Sequence, residues 1–117
     1  MSRPTNIYVM KCREFYKIGV SNSVNKRHYN LSSSLPFEIE ILANYKPNII
    51  GLDKYDRGRA VRKIEKALHT HFSAKRVRGE WFLLSPDDLN KIPEIIENGL
   101  SFEKKTREVS IKVDFRK

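Results

Sequence analysis

The sequence predicts an α/β (α+β) chain, and three observations carry that reading. Two β-rich runs, residues 6–12 (NIYVMKC) and 15–20 (FYKIGV), are separated only by Arg13 and Glu14, which predicts a tight hairpin. A third run, residues 37–45, begins with Phe37, Ile39 and Ile41 alternating with Glu38 and Glu40, the pattern of a half-buried strand. Residues 60–72 contain no Gly or Pro, and Val61, Ile64, Leu68 and Phe72 recur there at helical spacing.

Within the hairpin, period two sorts the side chains. Tyr8 and Met10 point one way and Ile7 and Val9 the other. In the second strand Lys17 and Gly19 share a face, with Tyr16, Ile18 and Val20 opposite. Ser21, Asn22 or Ser23 caps a following helix over residues 24–31, which places Val24, Arg27, His28 and Leu31 near one face. The run LSSSLP ends it. Residues 46–58, with a Pro and two Gly, read as a surface loop. After the basic helix, Gly79 turns the chain into a short buried strand, with Trp81 and Phe82 read as core. Ser85-Pro86-Asp87-Asp88 is a helix start, with Ser at the cap, Pro at the first position and an acid three residues on. Pro93 is expected to kink or split this helix and Gly99 to end it. The first five residues read as a leader. In the basic tail, residues 100–117, Val109, Ile111, Val113 and Phe115 alternate with polar residues and offer an extra strand. The domain reading is therefore one unit over 1–99 with an extension over 100–117.

Composition narrows the function. The 117 residues suffice for one core, and 39% hydrophobic content fits a globular chain. The net charge of +9 favours a polyanionic partner, most often nucleic acid. No stretch approaches the roughly 18 apolar residues of a membrane span, and no signal-peptide layout is present, so an intracellular, cytoplasmic setting is expected. The single cysteine, Cys12, excludes an intrachain disulfide and a Cys-based zinc cluster. It reads as a small core or edge residue.

The basic stretch 57–78 (RGRAVRKIEKALHTHFSAKRVR) holds eight Lys or Arg residues and one acid, Glu65. Arg62, Glu65, Lys66 and His69 fall on the outward side of the helix. One reading of Glu65 is helix-face ion pairing with Arg62 and His69. The other is a metal-binding carboxylate in a phosphate-holding surface.

Asn6-Ile7-Tyr8 followed by Lys17-Ile18-Gly19, Arg27 eight residues on, and Glu65-Lys-Ala-Leu-His-Thr-His-Phe before Arg78-Gly-Glu-Trp-Phe together resemble the GIY-YIG nuclease superfamily. The likeness is to its compact phage and bacterial branch, whose second motif often reads Tyr-Lys-Ile-Gly, and it covers residues 6–90. This resemblance implies a small three-stranded antiparallel sheet flanked by helices, and metal-dependent endonucleolytic hydrolysis of DNA that leaves a 5′-phosphate and a 3′-hydroxyl. It implies Tyr8 as the motif tyrosine, Arg27 as the phosphate-stabilising arginine and Glu65 as the carboxylate for one divalent cation, Mg²⁺ or Mn²⁺. Lys17 stands where many members carry tyrosine, and Asn6 where the first motif has Gly.

The chemistry is coherent. Mg²⁺ prefers oxygen ligands and keeps several waters, so one carboxylate plus substrate phosphate can hold it. Arg27 offers a planar fork for phosphate oxygens. Tyr8 as general base needs its phenolate stabilised, and Lys17 on the same face is placed for that or for a phosphate clamp. Tyr16, His28, Arg57, Arg59, Arg62, His69, Arg76 and Arg78 are the further nucleic-acid-binding candidates. Glu65 and His69 alone are too few protein ligands for a dedicated zinc site. Strandedness of the DNA stays open. Two rivals remain: a nucleic-acid-binding module without the chemistry, and a phage or bacterial factor that acts through a protein partner.

Overall fold

A computed structural model describes residues 4–49, 54–106 and 113–114. Residues 1–3 of the expected leader, residues 50–53 of the expected loop, and Val109, Ile111 and Phe115 of the tail lie outside the described residues. The order is β1 (Asn6–Cys12), β2 (Phe15–Ser21), α1 (Val24–Ser34), β3 (Glu40–Tyr45), β4 (Asn48–Ile49), α2 (Lys54–His71), a 3₁₀ turn (Ser73–Lys75), β5 (Arg76–Arg78), β6 (Trp81–Phe82), α3 (Pro86–Thr106) and β7 (Val113–Asp114). The fold is α+β.

The main sheet has five strands in the order β3-β1-β2-β6-β5, all antiparallel, and β4 pairs separately with β7. Two strands more than the three implied by resemblance come from a second hairpin, β5–β6, which pairs through Tyr16↔Phe82 and Lys17↔Trp81 onto β2. β6 is the short strand expected after Gly79, whereas β5 is only three residues long, all exposed, and gives no alternation to read in the sequence. The tail contributes a strand at Val113–Asp114, outside this sheet.

β1 lies between β3 and β2 and is buried on both faces, which is why NIYVMKC reads as a nearly continuous apolar run. Ile7, Val9 and Ile18 face α2 and α3, packing with Val61, Ile64, Leu68, Phe82, Ile92 and Ile96. Tyr8, Met10 and Cys12 face the other way, against Val24 and Ile39. Arg13, in the left-handed conformation at φ 57°, closes the two-residue turn between Cys12 and Phe15.

Several boundaries differ from the sequence expectation. β3 starts at Glu40, not Phe37, and a bulge opposite Val9 and Met10 changes its facing. Ile41 therefore joins the Tyr8 face while Ala43 and Tyr45 join the helix face, although simple alternation would put all three together. α1 runs on to Ser34 because its serines satisfy the last carbonyls: Ser33 Oγ donates to Asn30 O at 2.9 Å and Ser34 Oγ to Leu31 O at 3.1 Å. α2 begins at Lys54, inside the expected loop, with Gly58 as a buried helical residue.

α3 starts as expected. Ser85 N–H donates to Asp88 Oδ2 at 2.8 Å and Asp88 N–H to Ser85 Oγ at 3.1 Å, a reciprocal capping box. It then remains one helix through Pro93 and Gly99. The ring of Pro93 removes one backbone donor on an exposed side, while Ile92, Ile96 and Leu100 continue the buried stripe. Gly99 lies against α2. A Cβ there would sit 2.8 Å from Ile64 Cγ1, so the residue serves close helix approach and does not terminate the helix.

Candidate active site

Tyr8 is 1% exposed, and its ring lies across Gly19, its register partner on β2. A Cβ at position 19 would overlap the ring and hydroxyl of Tyr8. Gly19 needs no unusual backbone angle here, so its role is space.

Three other elements bring charge to this phenol. Arg27 projects from the first turn of α1, which closes through Arg27 N–H to Ser23 O at 3.1 Å. The cap geometry at Ser23 is extended, and Ser21 Oγ accepts the Ser23 N–H at 2.9 Å in place of a cap by Ser23's own hydroxyl. Glu65 comes from the middle of α2, half-buried. Glu80 comes from the β5–β6 turn, held where Ile18 N–H donates to Glu80 O at 3.2 Å beside Gly79 at φ 57°.

The electrostatics tie these together. Burial, then the Glu80 carboxylate, push the Tyr8 phenol up to about 12; Arg27 pulls it down and Glu65 pushes it up. Glu65 is itself raised, first by burial and then by Glu80, against the lowering influence of His69, Arg62 and Lys17. The Lys17 ammonium sits 2.9 Å from Glu80 Oε1 and 5.6 Å from the centre of the Trp81 ring. Tyr8, Lys17, Arg27 and Glu65 thus share one electrostatic neighbourhood, although Tyr8 and Glu65 are far apart in sequence.

Glu80 is the member that sequence reasoning missed. It was visible only as the acid after a turn glycine, and nothing local shows that β6 will lie beside Lys17. Trp81 also differs from expectation: Phe82 is fully buried, but Trp81 is only partly so.

The remaining candidates spread around this centre. His69, one turn after Glu65, donates from Nε2 to Ile18 O at 2.8 Å and tilts against Phe82 at 5.2 Å between ring centres. Arg62 is one turn before Glu65 and exposed, and Arg59 is exposed further along α2. Arg57 stands about 12 Å along the helix from Glu65, with an enclosed Nε. His28 donates from Nε2 to Ile39 O at 2.6 Å and borders a groove with Lys11 and Arg13. Tyr16 packs on the helix face, opposite Tyr8, under the Lys11 ammonium at 5.8 Å. Arg76 lies over Phe82 at 5.3 Å, and Arg78 borders a groove with Trp81.

An antiparallel sheet with helices packed on it gathers a buried tyrosine, the α1 arginine and the carboxylates of Glu65 and Glu80 on a basic chain, and the family that this chain matches is one of nuclease-related domains. The model of the T5orf172 domain matches residues 5–97, and the chain belongs to that family. No curated protein and no solved structure matched the chain. No helix among the described residues is long and apolar enough to cross a membrane.

Proposed function

We propose that this chain is a metal-dependent endonuclease of the GIY-YIG type, acting on DNA phosphodiester bonds in the cytoplasm of a bacterial or phage-infected cell. The observation that carries this reading is the buried Tyr8 phenol lying across Gly19, with Arg27, Glu65 and Glu80 close enough to act on its charge.

Among the described residues no group of three or more His, Cys, Asp or Glu side chains is placed to hold a metal ion. The donor set still fits a hard divalent cation: Glu65 is half-buried beside the Glu80 carboxylate, and oxygen is the donor type Mg²⁺ or Mn²⁺ prefers. Glu65 would hold the ion, with Glu80 beside it. When bound, such an ion neutralises carboxylate charge, polarises the phosphoryl group and stabilises the leaving oxygen.

The protein groups divide the remaining work. At a pKa of about 12, on the order of one Tyr8 in 10⁵ is ionised at pH 7, so the resting phenol is a poor base. An ion held at Glu65 beside Glu80 would offset two of the influences that hold it protonated. Arg27 favours the phenolate and offers its fork to a non-bridging phosphate oxygen. The phenolate then takes a proton from the attacking water, whose oxygen adds to phosphorus as the bond to the 3′-oxygen breaks, and that oxygen takes a proton from solvent to leave as the 3′-hydroxyl. Lys17 supports phosphate charge from the neighbouring strand, and the exposed basic residues of α2 supply salt-sensitive affinity.

Cleavage of labelled single- and double-stranded DNA with Mg²⁺, Mn²⁺ or EDTA tests this. Expected is metal-dependent cutting that Glu65→Ala lowers on the order of a thousandfold and Tyr8→Phe also suppresses. Calorimetric titration with Mn²⁺ should lose its heat in Glu65→Ala. Binding without cutting in every condition would leave the second reading, a nucleic-acid-binding module. The Lys17–Glu80 ion pair favours that module, because it engages the ammonium with a carboxylate of the chain itself.

A further inference from the structure

The Tyr8 face continues along the hairpin past Lys17 to a second feature. Its register runs Tyr8↔Gly19, Met10↔Lys17, Cys12↔Phe15. Beyond Lys17 an open groove of about 230 Å³ is walled by Phe15, Leu35, Phe37, Val77 and Trp81, with Arg78 at its border. It is almost wholly apolar, yet it lies on the surface of a chain carrying +9. Phe37 is 44% exposed and Val77 51%, so two large apolar side chains stand in solvent where the core has no use for them. The Arg13 guanidinium lies over the Phe37 ring at 4.1 Å, which places a second cation beside the aromatic wall.

We infer that this groove receives an unpaired base of a single DNA strand whose backbone crosses the Tyr8–Arg27–Glu65 surface. The inference rests on the nuclease reading for the direction of the strand and adds its substrate class. Three features select this occupant. Aromatic walls beside arginines are how single strands are held: bases stack on rings while cations track phosphates. The volume lies below the roughly 300–1,000 Å³ of pockets for drug-sized ligands and suits one flat heterocycle. The groove also joins the candidate active site directly, because Trp81 faces Lys17 in register and its ring adjoins the Lys17 ammonium. Cys12 lies four residues along β1 from Tyr8, about 13 Å, so the captured base belongs to a nucleotide only a few positions from the bond cut. A base inside a duplex cannot enter; it must be unpaired.

Trp81 is the only tryptophan in the chain, so its fluorescence reports the groove wall next to Lys17, and the Phe37 variants separate the groove from the active-site side. The test titrates the full chain, in EDTA at low salt, with an oligothymidylate and with a blunt duplex of equal length. Saturable quenching by the single strand, and little change with the duplex, is the expected result. Phe37→Ala should weaken single-strand binding five- to tenfold and leave duplex binding unchanged, while Phe37→Tyr restores it; circular dichroism checks that both variants fold. Equal loss for both DNA forms, or no change in single-strand affinity with Phe37→Ala, overturns the inference. So does quenching that rises with protein concentration in the absence of DNA, since the groove would then belong to a second copy. Metal-dependent cleavage with an unaltered Phe37→Ala profile would sink the groove and keep the nuclease. Quenching that depends on Phe37 without any cleavage would keep the groove and sink the nuclease.

Discussion

The ring of Tyr8 occupies the space that a side chain at Gly19 would fill. The two residues are register partners on neighbouring strands, so the position of the phenol is set by the absence of one methyl group across the ladder. Gly19→Ala should displace the hydroxyl while the hairpin still forms. Since a displacement of about 1 Å can cost on the order of 100-fold, cleavage should fall at least that far with circular dichroism retained. Unchanged turnover would show that Tyr8 is not the group that meets the water.

Glu80 raises the pKa of both Tyr8 and Glu65 and pairs with Lys17. Glu80→Gln removes the raising influence, so the Tyr8 pKa should drop below about 12. Ultraviolet titration of the phenolates, taken as the difference from the same chain carrying Tyr8→Phe, reads this among the five tyrosines. The rising limb of the pH–rate profile should move the same way, to lower pH. A limb that stays in place would separate Glu80 from the proton chemistry.

Asp88 is held at a pKa of about 2, chiefly by the Lys75 hydrogen bond and then by the Ser85 N–H. Its folded value is depressed, so its contribution is complete above the unfolded value near 4 and is lost as pH falls from about 4 towards 2. Asp88→Ala should cost about 1–2 kcal/mol at neutral pH, the usual scale of a lost cap. In that variant the acid-side loss between pH 4 and 2 should shrink. Urea denaturation at several pH values measures both.

Gly99→Ala sets two effects against each other. Alanine gains about 1 kcal/mol of helix propensity over glycine. Its Cβ would meet the fully buried Ile64 at 2.8 Å, and overpacking costs about 1–3 kcal/mol. The packing cost should win, and thermal denaturation should show a lower Tm. A higher Tm would mean that the α2–α3 contact yields easily.

Much of this molecule was legible because its signals are local. The hairpin, the division of Tyr8 and Met10 from Ile7 and Val9, the α2 stripe and the Ser85–Asp88 cap each follow from residues within a few positions of one another. What was hidden depends on distant partners. Pro93 and Gly99 read as helix breakers, yet α3 continues because Ile96 and Leu100 have a core to enter and Gly99 has Ile64 to approach. Glu80 and the exposed side of Trp81 became visible only once β6 was laid against β2. The β3 bulge hid the facing of Ala43 for the same reason, since a single inserted residue inverts a period of two.

The separation between Tyr8 and Gly19 also bears on the order in which the chain folds. Their strands are joined by a two-residue turn, so their pairing closes a loop of only ten residues at small entropic cost, whereas Glu65 and Glu80 must be brought back from much later in the chain. The tyrosine–glycine contact should therefore already exist in the transition state. In stopped-flow measurements a Gly19 substitution should slow refolding, while Asp88→Ala should act mainly by speeding unfolding. The candidate catalytic surface would then be assembled around a phenol already in place, with the carboxylates arriving last.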